Sequence, residues 1–141
     1  MALPNRPAHP LPGAETALFD LVDVYDRAYE SAATTLALTP AQACVLGRLD
    51  EQQGMGSLAE ELGCDASNIT QIVARLEVQG LVVRAANPKD GRARLVSRTA
   101  RGDQVNDRFN ETFSFARSAL ARLLPEEQLE LTKLVRKMLS S

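Results

Sequence analysis

Ser67, Asn68, Thr70 and Gln71 bring short hydroxyl and amide side chains together at helical spacing, with Arg75 one turn further on and Lys89, Arg92 and Arg94 in the segment that follows. Hydroxyls and amides can exchange hydrogen bonds with base edges in a major groove, and guanidinium and ammonium groups pair with phosphate. Turned at about 100° per residue, the stretch gathers Ile69, Ile72, Val73 and Leu76 into one narrow apolar arc. Ser67, Gln71, Ala74 and Val78 fall opposite, with Asn68 and Arg75 on one flank and Thr70 on the other. A face kept only for solubility would carry Glu and Lys, yet no acidic residue occurs here before Glu77. Between Ala66 and Arg101 seven basic residues stand against two acidic ones, a net of +5 in a chain whose total is −2. A basic segment on an acidic frame suits a protein that turns one surface to a polyanion; the plainer alternative is a solvated charged face.

The other reactive residue types exclude more than they support. His9 is the single histidine and lies among Pro4, Pro7, Pro10 and Pro12, so neither a His/Cys metal cluster nor a nucleophile served by imidazole can be assembled. No cofactor or metal is expected, and no enzymatic activity. Cys44 and Cys64 read as thiols of a reducing compartment, either buried structural residues or sensors of oxidant. The first residues lack the apolar run of a signal peptide and no stretch reaches the length of a membrane span, so a cytoplasmic protein is expected.

The elements that position these residues can be read along the chain of 141 residues. The prolines keep residues 1–13 out of helix, so an extended or disordered arm is expected there. From Glu15 to Leu36, Leu18, Leu21, Tyr25, Ala28, Tyr29, Ala32 and Leu36 recur at helical steps. Thr39-Pro40-Ala41-Gln42 reads as a capping box opening a second helix that ends near Gln53-Gly54. Ser57-Leu58-Ala59-Glu60 reads as another, opening a short helix stopped by Gly63. Asp65 then caps a helix that ends at Gly80, completing a helix-turn-helix. Residues 81–84 and 94–97 are strand-like and bracket a turn-rich basic tip at residues 87–92. Beyond Gly102 one long helix carrying Val105, Phe109, Phe113, Ala116, Leu120 and Leu123 runs to Pro125, and a last helix carries Leu129, Leu131, Leu134, Val135 and Met138. The fold class is mainly α with a small β-hairpin wing.

On this frame Ser67, Asn68, Thr70 and Gln71 are expected at bases or nearby phosphates, and Arg75 as an anchor to the DNA backbone or to the wing. Arg92 is assigned to the minor groove, whose negative potential attracts guanidinium where it is narrow, and Lys89 and Arg94 to phosphate. Asp90, which phosphate repels, is expected to hold the wing or pair with Arg75. A rival reading is a winged-helix module that binds an acidic protein; the recognition face lacks the aromatic anchors such a surface favours.

These residues resemble the MarR family of bacterial winged helix-turn-helix regulators. The resemblance is carried by residues 38–42 with Val45, Leu46 and Leu49, by residues 57–63, by Arg75-Leu76-Glu77 with Gly80-Leu81-Val82, by Asp90-Gly91-Arg92 as an Asp-x-Arg wing signature, and by Thr99 with Gly102. Arg98 departs from it, standing where a leucine is usual, so that this end of the wing is expected to be more exposed or to add a phosphate contact. Ala43 replaces a bulkier side chain. The resemblance implies a homodimer on a palindromic operator, with residues 14–38 and 104–141 as dimerisation helices and 39–103 as the DNA-binding domain, acting as a repressor. A monomer folded back on its own end helices is the alternative. It also implies relief of DNA binding by a small aromatic or phenolic effector, or by an oxidant. Tyr25, Tyr29 and Arg48 are candidates for lining the effector site, although both tyrosines also fit a core stripe.

Overall fold

The computed structural model describes residues 13–141, the side chains of Asp90 and Arg92 excepted. Of the arm expected over residues 1–13, all but Gly13 lies outside the described residues, and Gly13 itself opens the first helix, α1 (Gly13–Thr35). Ala37, in the left-handed region at φ 58°, turns the chain into α2 (Pro40–Gly47). The capping box forms as expected: Gln42 N donates to Thr39 Oγ1 and Thr39 N to Gln42 Oε1, each at 3.1 Å. The helix ends at Gly47 rather than near Gln53, because Gln53–Gly54 form a short strand, β1, and the Gln53 side chain reaches back to cap the Arg48 carbonyl at 2.7 Å.

The second expected box does not form. Helix α3 (Met55–Leu62) starts three residues earlier, with Gly54 instead of Ser57 as its N-cap, which leaves Ser57 inside the helix with its hydroxyl donating to Gln53 Oε1 at 3.2 Å. Gly63 closes it at φ 63°, a conformation that costs glycine nothing. Asp65 is the N-cap of α4 (Ala66–Val78) by backbone conformation, without a side-chain hydrogen bond, and Gly80 at φ 76° turns the chain out of it.

Strands β2 (Val82–Asn87) and β3 (Asp90–Arg98) are antiparallel, and β1 adds on the far side of β3 with Gln53 opposite Val96. Both hairpin strands outrun the apolar segments. Asn87 Oδ1 accepts from Lys89 N at 2.9 Å and turns the chain within Pro88 and Lys89, so Asp90-Gly91 begins β3 instead of making the turn.

The single helix expected after the wing is broken into α5 (Ala100–Thr112) and α6 (Phe115–Leu120), and α7 (Pro125–Leu139) follows. Residues two apart point about 200° from each other on one helix. The break at Phe113-Ser114 lets Phe113 and Phe115 both lay ring edges against Tyr25, at centroid distances of 5.2 and 5.9 Å. The core belongs to the winged half: Val45, Leu46, Leu58, Ile69, Val73, Leu76, Val82 and Val96 are its largest fully buried side chains. In α1 only Ala32 and Ala33 are fully buried, and in α7 no residue is. Among the described residues no helix is long and apolar enough to cross a membrane.

Candidate nucleic-acid interface

Helix α4 divides as its sequence arithmetic requires. Ile69, Ile72, Val73 and Leu76 are buried against α2, α3 and β2, which fixes the rotation of the helix and leaves Ser67, Asn68, Thr70, Gln71 and Arg75 exposed. The Thr70 hydroxyl donates to Ala66 O at 2.8 Å, so toward any partner it offers only acceptor capacity. The C-terminal end of the helix is tethered to the wing. Arg84 on β2 grips Glu77 with Nη2 to Oε1 at 2.9 Å and Nε to Oε2 at 3.4 Å. These hydrogen bonds hold the Glu77 carboxyl below its ordinary range. The tether is therefore present above the ordinary carboxylate pKa and is lost only as pH falls through a still lower value. From sequence Arg84 stood only as one of the seven basic residues of this segment; its partner lies across a helix end and a turn, where no helical spacing reveals it.

Lys89 at the hairpin tip and Arg94 on β3 are exposed on the wing that follows α4. Asp90 and Arg92 lie at the start of β3, and their expected side-chain roles fall outside the described residues. Arg98 corrects the expectation of an exposed or phosphate-binding residue. Its side chain is 11% exposed and its whole fork is engaged: Nη1 donates to Leu46 O at 3.0 Å, Nη2 to Asp50 at 2.8 Å and Nε to Asp103 at 2.9 Å. It joins α2, β3 and α5. The adjoining Thr99 accepts from Gly102 N at 3.0 Å, capping α5, while donating to Gly80 O at 2.6 Å, and a Cβ on Gly102 would collide with the Leu81 carbonyl. The threonine and glycine thus dock the start of α5 onto the end of α4.

Tyr25, Tyr29, Cys44, Arg48 and Cys64 all line one cavity of about 610 Å³ between α1, α2 and α5. Packing and cavity lining, posed as alternatives for the tyrosines, coincide. Tyr29 meets Phe109 and Phe113 at 4.9 and 5.1 Å between ring centroids, and Tyr25 stacks on Tyr29 at 6.2 Å. Burial chiefly, then Cys44 and Tyr25, push the Tyr29 phenol well above its ordinary value, against an opposing pull from Arg48. Arg48 Nη1 donates to Glu61 Oε1 at 3.2 Å. Cys64 Sγ donates to Leu62 O at 3.5 Å. Asn106, Phe109 and Phe113 complete the wall and were not singled out from sequence as site residues. The visible signal was the four-residue spacing of Phe109 and Phe113, matching that of Tyr25 and Tyr29.

A helix-turn-helix braced by a three-stranded wing and flanked by long end helices defines a winged-helix protein. Residues 38–93 match the MarR family. The chain is 32% identical to the transcriptional regulator HosA of Escherichia coli O111:H- over 113 residues, 74% of this chain and 79% of that protein. It is likewise 32% identical to the HTH-type transcriptional regulator YcgE of Bacillus subtilis, over 84% of this chain and 73% of the relative. The chain belongs to the MarR family. Among solved structures it is similar to a mutant MarR from E. coli complexed with operator DNA, at a TM-score of 0.73 and 25% identity over 89% of this chain and 93% of that one. The YusO protein of B. subtilis gives a TM-score of 0.70 at 25% identity, over 89% and 91%.

Proposed function

We propose that the chain is a homodimeric, sequence-specific DNA-binding transcription regulator of the repressor type. The observation that carries this reading is the division of α4, whose Ser67, Asn68 and Gln71 are exposed on a helix locked by four buried aliphatic side chains. Such a helix presents amide and hydroxyl groups to a major groove with its orientation already fixed, and Lys89, Arg92 and Arg94 on the hairpin that follows it provide the charge for phosphate and minor groove. The bound operator of the related MarR structure supports the same use of the fold.

A second copy of the chain covers the end helices. Helix α7 has an apolar stripe in which Leu129, Met138 and Leu139 are 66%, 61% and 80% exposed, and Leu18, Leu21 and Val24 on α1 add to it. Surface of this kind is stable in water only when a partner buries it. The cavity takes a small aromatic or phenolic effector between α1, α2 and α5, and filling it shifts the winged half against the end helices and releases the operator. An oxidant acting at Cys44 or Cys64 would enter the same space. Gel shifts against genomic fragments test the reading: retention of a discrete fragment over excess random duplex is expected, and equal affinity for both would refute it.

A further inference from the structure

The cavity is built for uncharged chemistry. Of the described residues lining it only Arg48 carries a charge, and that guanidinium already donates to Glu61 with half of its side chain in solvent. An aromatic anion entering here would give up its hydration and meet a cation already held by a neighbouring carboxylate. What stands open is Asn106. It is 6% exposed, lines the cavity, and makes no side-chain hydrogen bond to any described residue. Its Oδ1 lies 3.7 Å from where a Cβ on Gly47 would sit, so glycine at that position keeps the space before the amide clear. The Asn106 amide opens onto the cavity, where a bound group can pair with it.

We propose that the cavity selects an uncharged, flat aromatic ligand bearing an adjacent donor and acceptor, such as a carboxamide or lactam edge, and that Asn106 is the residue that reads it. The proposal rests on the cavity being the effector site. A carboxamide edge offers one N–H and one C=O to the complementary pair on Asn106, whereas a carboxylate offers acceptors alone and sets its charge against Asn106 Oδ1. The rings of Tyr25, Tyr29 and Phe113 give the aromatic body its walls, and the volume falls in the range of about 300–1,000 Å³ usual for small-molecule sites.

The pair 2-naphthamide and 2-naphthoate share a shape and differ in charge, and their binding to the full-length protein can be followed by naphthalene fluorescence. The protein is expected to bind the amide at least ~10-fold more tightly, and Asn106→Leu to lose about tenfold for the amide and little for naphthoate. Glu61→Gln, a change at the surface, unpairs Arg48 and is expected to strengthen naphthoate binding while leaving the amide unchanged. Should Asn106→Leu fail to fold, the wild-type preference and the Glu61→Gln response decide. Tighter or equal binding of naphthoate, binding of neither probe at millimolar concentration, or a folded Asn106→Leu protein with undiminished amide affinity would overturn the inference. Gel shifts without ligand separate the two readings: retained operator binding with no amide preference removes only the ligand inference, and amide binding without operator binding removes only the regulator.

Discussion

Gln71 and Arg94 are both exposed on the winged half, yet the physics of their contacts differs. An amide that pairs with a base edge contributes only on the right sequence, so Gln71→Ala is expected to cost about 1–3 kcal/mol on the operator and little on random duplex. A guanidinium on phosphate contributes through counterion release, so Arg94→Ala should weaken both duplexes alike and reduce the salt slope by about one unit. Titrations of both variants at several salt concentrations check this; identical specificity ratios and slopes would contradict the assignment. Gly102 offers a prediction about stability. Its Cβ position is occupied by the Leu81 carbonyl, so Gly102→Ala must push the start of α5 off the end of α4, at a cost of about 1–3 kcal/mol by urea unfolding. At this scale the exposed face of α4 was legible because buried and exposed positions alternate with a known period. Arg84 and Arg98 were not, since each finds its partners across separate elements: Arg98 reaches Leu46 and Asp50, far off in the chain.

Among the elements, the joint between the winged half and α5 depends on Arg98. Asp50 and Asp103 are 82% and 60% exposed, so solvent screens those two pairs and the bond to the Leu46 carbonyl carries more of the stabilisation. Arg98→Leu is expected to cost about 1–3 kcal/mol of unfolding free energy, and Arg98→Lys to recover little of it, because an ammonium cannot span three acceptors held at a fork's spacing. Denaturant melts of the two variants decide; an Arg98→Leu protein as stable as the parent would show the fork to be dispensable. Truncation after Leu124 removes α7, none of whose residues is fully buried within its own chain, so the remaining fold should persist while dimers and tight DNA binding disappear together. Sedimentation of the truncated protein as a dimer would contradict that. The helices were visible in sequence through their apolar period and their glycine stops. The period continues unbroken across Phe113-Ser114, which is why the break there was not; β1, two residues long, is too short to show alternation at all.

For the molecule as a whole, the balance of charge and apolar surface divides the chain into two halves with different tasks. The stretch from Ala66 to Arg101 carries a net +5 in a chain of −2, so the remainder is acidic and attraction to DNA is confined to the face that holds α4 and the wing. The exposed apolar stripes lie on α1 and α7, outside the winged half. Two copies joined through those helices are expected to present two α4 helices to one duplex. Hydroxyl-radical footprinting on an operator selected from genomic fragments tests it most directly. Two symmetry-related protected half-sites are expected, their centres about one helical turn, ~10 base pairs, apart, with further protection of the flanking minor grooves by the wings. A single unpaired half-site, or protection spread evenly along the duplex, would contradict it.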